Sequence, residues 1–196
     1  MSFSSERRLP TLNLFLDTNI IVDYIIPSER AKYGCSQKLV EKIGKGDFKA
    51  WSADYALSET LGKLKENREK SLGVRGILRE TLSTHEIEEM TRIIETFRKT
   101  PNFEIFEVEP IKQKEIFDKV KNICVQATDA LVLLSALNLK SKIGDITLVT
   151  RDRKLLTRGR RLVRTAHPIE LIGFCPTSCG SKSVCGYYSR YKNPSS

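Results

Sequence analysis

The chain has 196 residues, 40% hydrophobic and 29% charged, an ordinary soluble composition with enough material for one well-buried domain and some decoration. Its formal charge of +9 points to a polyanionic partner, although a basic proteome background would give the same figure. No apolar stretch approaches the length of a transmembrane helix, and Pro10, Thr11 and Asn13 interrupt the residues before Asp17, so neither a membrane span nor a signal peptide is expected and the protein is read as cytoplasmic.

Residues 1–11 are polar, hold Arg7 and Arg8, and read as a loose leader. The run Leu12-Asn13-Leu14-Phe15-Leu16 contains no Gly or Pro and reads as a buried strand that stops at Asp17, with Thr18, Asn19 and a new apolar run behind it. In open α/β sheets ligands collect outside the carboxyl ends of strands, so Asp17 stands where chemistry is done; the plainer alternative is a cap for the helix beginning near Asn19. That helix, 19–26, ends at Pro27. Cys35, Leu39, Val40 and Ile43 recur at helical spacing, Gly44 and Gly46 close this second helix, and 48–51 gives a second strand. A helix from about 54 to 65 follows, with Tyr55, Leu57, Leu61 and Leu64 apolar and Glu59 among them.

Charge is denser over 65–100, where two amphipathic segments are split by Gly73, Gly76 and a Ser83-Thr84-His85-Glu86 capping box. Ile87, Met90, Ile93, Ile94 and Phe97 form one apolar stripe on the second segment, and we read the whole as a helical arm inserted in the domain. Its basic and acidic residues nearly balance, which favours a protein contact or dimer surface over a nucleic-acid stripe; His85 reads as exposed at a helix start. A third strand is predicted over 103–108, then a helix marked by Ile111, Ile116, Val120 and Ile123. Thr128 caps a helix over 129–139 that is apolar nearly all round and must be buried on most sides. The fourth strand, 146–150, ends in Arg151-Asp152, and 162–172 supplies a fifth with His167 at its edge. Strands alternating with helices argue an α/β fold whose largely parallel sheet is covered on both faces.

Four acids stand in comparable contexts: Asp17 after the first strand, Glu59 within an apolar helix, Asp129 at the start of a buried helix and Asp152 after the fourth strand. Each has a purely structural alternative. Asp129 answers a helix dipole, Asp152 suits a turn, and Glu59 avoids the cost of burying a charge if its side faces water. Converging on one sheet edge, they would repel one another and raise at least one pKa unless a divalent cation neutralised them. Oxygen donors without a His or Cys partner select Mg²⁺ or Mn²⁺ over Zn²⁺.

The segments Leu-Asp17-Thr18-Asn19, Ser58-Glu59, Thr128-Asp129-Ala-Leu-Val-Leu-Leu-Ser-Ala and Leu-Val-Thr150-Arg151-Asp152 resemble, in order, the acidic motifs of PIN-domain proteins, especially the VapC-like ribonucleases of toxin-antitoxin pairs. The resemblance spans about 12–174. It implies a PIN-like three-layer fold, with a central sheet of about five strands flanked by helices, and one or two Mg²⁺ or Mn²⁺ ions held by Asp17, Glu59, Asp129 and Asp152. Thr18, Asn19 and Thr150 match the family's supporting polar positions. The implied activity is endoribonuclease: hydrolysis of an RNA phosphodiester by water in line, without a protein nucleophile. A homodimer and a small antitoxin partner are implied as well. A housekeeping rRNA- or tRNA-processing nuclease and a catalytically silent RNA-binding scaffold are the other readings, since the arm and the tail exceed what a minimal toxin needs.

Arg151, Arg153, Lys154, Arg158, Arg160, Arg161 and Arg164 face the single acid Asp152 over 151–164, and this run is the expected RNA-binding surface, a solvated face being the alternative. The nuclease domain is assigned to 1–174 and a Cys-, Ser- and Tyr-containing tail to 175–196. The five cysteines form no regular framework and agree with a reducing compartment in which Cys35 and Cys124 are small hydrophobes. In the tail, Cys175, Cys179 and Cys185 do not complete a zinc site by themselves, and Tyr187, Tyr188 and Tyr191 offer stacking faces for single-stranded RNA.

Overall fold

The computed structural model describes residues 12–71, 83–107, 113–123 and 125–173. Its first strand, β1 (Leu12–Leu16), is apolar on both faces and so can lie only at the centre of a sheet covered on both sides. Leu14 and Leu16 pack into one apolar cluster, and Phe15 into another on the opposite face. β2 (Phe48–Ala53), β3 (Phe103–Phe106), β4 (Thr147–Val149) and β5 (Arg164–Ala166) complete a five-stranded sheet in the order β3-β2-β1-β4-β5, every pair parallel.

Helices cover both faces. On the Leu14 side lie α1 (Thr18–Ile25), α2 (Pro27–Lys32), α3 (Gly34–Gly44), α4 (Asp54–Ser71), α5 (Thr84–Arg98) and α9 (Pro168–Ile172). On the Phe15 side lie α6 (Gln113–Ile123), α7 (Ala127–Ile143) and α8 (Arg153–Gly159). The three-layer α/β arrangement read from the sequence is therefore present, with a fully parallel sheet. Gly159 lets α8 close on its neighbours: a Cβ there would meet Leu133 of α7 and Thr165 of β5 at 3.1 Å. Among the described residues no single helix is long and apolar enough to cross a membrane.

Several local expectations need correction. Pro27 ends α1 and also opens α2 from its first position, where its fixed φ suits a helix start. The fifth strand is only Arg164–Ala166; His167 caps α9 through a reciprocal capping box with Glu170, and Pro168 follows as the first helical residue, so His167 is a buried cap and not a strand-edge residue. The N-cap of α7 is Gln126, which leaves Thr128 in the first turn and exposed instead of at the cap. α4 runs on to Ser71, beyond the predicted end. Cys124 and the 175–196 tail lie outside the described residues, whereas Cys35 is buried.

The 65–100 stretch is helical where described, but its stripe turns inward. Met90, Ile94 and Phe97 are buried in the same cluster as β1 and α1, and Phe97 packs edge-on against Phe103 with ring centroids 4.8 Å apart. Ile87 and Ile93 stay outside. The stripe thus serves the domain's own core. Phe97→Ala is expected to lower unfolding free energy by about 3–5 kcal/mol in a urea titration, against within about 0.5 kcal/mol for Ile87→Ala; equal small effects would mean that α5 stands apart from the core.

Candidate functional site

Strand order decides where a site can form. The chain builds β2 and β3 to one side of β1, then returns to lay β4 on the other side, which makes β1/β4 the topological switch point. Crevices outside the carboxyl ends of such a strand pair are where open α/β sheets bind ligands. Pairing Leu16 with Val149 brings the next residues, Asp17 and Thr150, side by side at that mouth, and the Asp17 amide donates to the Val149 carbonyl at 3.0 Å.

Asp17 occupies the N-cap position of α1 yet makes no side-chain cap into it. Its carboxylate instead accepts from Thr150 Oγ1 at 2.6 Å and from the amide of Asn19. Thr150, fully buried, also receives Asn19 Nδ2 and the backbone N–H of Asp152, each at 3.0 Å. The Asn19 carbonyl oxygen accepts from the Arg151 amide at 3.2 Å. One hydroxyl and one carboxamide thus tie the end of β1 to the turn after β4. Thr18 reaches the other way and donates to Glu59 Oε2 at 2.7 Å, joining α1 to α4.

Charge interactions link the four predicted acids. Burial pushes the Asp17 carboxyl up to about 6; the Thr150 hydrogen bond opposes this, while the charges of Asp129 and Glu59 add to it. Asp129 is likewise raised, first by burial, then by Asp152 and, further down, Glu59, with the Gln126 backbone hydrogen bond and Lys154 opposing. Glu59 and Asp152 are exposed. Asp152 caps α8, accepting from the Leu155 amide at 2.8 Å, so its local role is a helix cap and not a turn residue. Glu59, expected inside an apolar helix, lies on the solvent side of α4.

Among the described residues, no three Asp, Glu, His or Cys side chains come close enough to make a finished metal shell. The donors nevertheless fit a hard cation chemically. All are carboxylate oxygens, the charges of the others help raise Asp17 and Asp129, and a carboxylate offers about four acceptor positions, of which the hydrogen bonds named here use only part.

The basic run divides. Arg151 turns inward onto Asp23, Arg158 donates to the Ile123 carbonyl at 3.3 Å, and Arg160 reaches Thr165 at 3.3 Å and Glu170 at 3.7 Å. These three have partners within the domain; only Arg151 turns inward, while Arg160 stays exposed. Arg153, Lys154, Arg161 and Arg164 are exposed.

Two participants were missed. Asp23 is fully buried in α1, bound by Arg151 and by Ser36 Oγ at 2.7 Å; burial outweighs both and pushes its carboxyl up to about 7. An acid inside Ile20-Ile21-Val22-Asp23-Tyr24-Ile25 carries the same warning as Glu59 and went unread. Tyr55, one turn before Glu59 on α4, has its hydroxyl beside Ser135 and is raised by burial and, to a lesser degree, by Asp17 and Glu59; the four-residue spacing to Glu59 was the available signal.

No family model matches the chain, and no curated protein matches its sequence. Among solved structures it is similar to the crystal structure of PAE2754 from Pyrobaculum aerophilum, at 12% identity and a TM-score of 0.47, over 83% of this chain and 93% of that one.

Burial, with Arg151's charge adding, holds His167 down at about 4 against 6.5 for a free imidazole. Between those values the unfolded chain binds a proton that the folded chain refuses, so this contribution is complete above pH 6.5 and is lost as pH falls toward 4, on the order of 3 kcal/mol. Raised carboxyls at Asp17 and Asp23 act in the opposite sense, favouring the fold as pH drops below 7. Comparison with His167→Asn, which keeps a capping acceptor, isolates the histidine: the stability difference, wild type minus variant, should shrink from pH 7 to pH 4. A difference independent of pH would contradict a neutral buried imidazole.

Proposed function

We propose that this chain is a Mg²⁺- or Mn²⁺-dependent endoribonuclease of the PIN type, and, following the resemblance in its motifs, the toxin of a type II toxin-antitoxin pair that works in the cytoplasm as a homodimer. The observation that carries the nuclease reading is Asp17: a buried carboxylate at the switch point that forgoes its own helix cap, is held by Thr150 and Asn19, and has its pKa raised by two further acids. Keeping such groups ionised together is costly for folding, and a divalent cation relieves that cost.

Asp17, Glu59, Asp129 and Asp152 would hold the cation, which when bound supplies Lewis acidity toward the phosphate and a lowered pKa for water. The rest is work for the chain's own side chains. Thr150 and Asn19 orient the Asp17 carboxylate, while Thr18 steers Glu59. Lys154, close enough to lower the Asp129 pKa, offers positive charge to a phosphate at the same mouth. Arg153, Arg161 and Arg164 extend that charge along an exposed face, suited to an RNA backbone.

With purified protein, Mn²⁺ and a labelled RNA, cleavage is expected from the wild type and a loss of at least about a hundredfold from Asp17→Asn and Asp129→Asn, with circular dichroism unchanged. Saturating Mn²⁺ at about 100 times Kd should stabilise the wild type by about 2.7 kcal/mol in thermal unfolding and leave Asp17→Asn nearly unmoved. RNA binding without cleavage, indifferent to both substitutions, would instead mark a silent RNA-binding scaffold.

A further inference from the structure

Arg151 lies between Thr150 and Asp152, yet its side chain leaves that mouth and enters the domain. Its Nη2 donates to Asp23 Oδ1 at 2.7 Å, and its Nε stands in ion-pair contact with Asp23 Oδ2 without a hydrogen bond of its own. The guanidinium carbon sits 3.5 Å from the centroid of the Tyr33 ring, stacked on its face. Asp23 has no exposed surface and takes a further hydrogen bond from Ser36 at the start of α3. Three elements therefore meet on one side chain: α1 through Asp23, the α2–α3 junction through Tyr33 and Ser36, and the β4–α8 turn through Arg151 itself. The same turn is pinned from the other side by Asn19, which accepts from the Arg151 amide, and by Thr150, which accepts from the Asp152 amide.

A buried ion pair contributes little net stability compared with an apolar pair of the same shape, so stability alone does not account for this one. What it does supply is direction. Asn19 and Asp23 are one helical turn apart on α1, and together they hold both the backbone and the side chain of Arg151 against that helix. α1 begins at the residue following Asp17. We propose that Arg151 is a positioning residue: through Asp23 and Tyr33 it fixes the Thr150–Asp152 turn relative to α1, and so sets the Asp152 carboxylate against Asp17 at the shared mouth. This rests on the nuclease reading for its consequence, but the clamp itself is a property of the fold.

The test uses the full chain and three variants. Arg151→Lys keeps the charge but has no planar group that can bond Asp23 and lie flat on Tyr33; Tyr33→Leu removes the ring and leaves the ion pair. Amide exchange followed by mass spectrometry should rise at least tenfold over 149–153 in Arg151→Lys, and to a lesser extent in Tyr33→Leu, with α7 peptides unchanged; unchanged exchange at 149–153 in both overturns the clamp whether or not the protein cleaves RNA. Mn²⁺ affinity by titration should fall about tenfold to a hundredfold in Arg151→Lys, and kcat should drop with KM for RNA unchanged. If Arg151 instead contacts RNA, Arg151→Ala raises KM and lowers the salt slope by about one while Mn²⁺ affinity stays put, and the proposal fails. Wild type that neither binds Mn²⁺ nor cleaves refutes the nuclease reading separately, and the exchange result still decides the clamp.

Discussion

The structure turns on the hydrogen bond from Thr150 to Asp17 across the β1/β4 junction. It joins the ends of two parallel strands, through residues 133 apart in the chain that are adjacent only because the strand order switches sides at that point. A carboxylate buried there needs donors, and both it receives from side chains, Thr150 and Asn19, lie within three residues of a strand end. The remaining polar contacts at this edge extend the same network: Thr18 to Glu59 on one side, Asn19 to the Arg151 backbone on the other.

That network explains how an apolar sheet tolerates acids at its rim. Leu14, Phe15 and Leu16 are almost completely buried, and the next residue is an ionisable group. Without the hydroxyl of Thr150, burial would raise the Asp17 pKa still further, since the bond is the leading influence that lowers it. Asp129 and Asp152 relieve their own strain differently, through a backbone amide at the start of α7 and of α8. Asp152 is a helix cap and Asp129 sits in a first helical turn, which is why each looked ordinary in isolation.

Much of the fold was legible because its signals are local. The run Leu12–Leu16 ended by Asp17, and the apolar helix α7 with almost no polar face, could be buried in few other ways. Boundaries failed where one residue's neighbours outweighed its propensity: Pro168 and the His167 capping box cut the fifth strand to three residues, and Gln126 displaced Thr128 as cap. Motif order singled out the four acids, but composition could not tell a solvent-facing arginine from one that folds inward. Arg151 belongs by sequence to a basic run and by structure to Asp23, a partner 128 residues earlier that sits in a helix read only for its apolar residues. Pairing across the sheet is what local patterning does not carry.

We propose that acids distant in the chain share one hard cation at the β1/β4 mouth. Diffraction from crystals grown with Mn²⁺, collected at the manganese absorption edge, tests it most directly. The expected result is an anomalous peak in contact with the Asp17 carboxylate, at about 2.0–2.3 Å, and within reach of Asp129. A peak elsewhere on the molecule, or none at that carboxylate at saturating Mn²⁺, would contradict it.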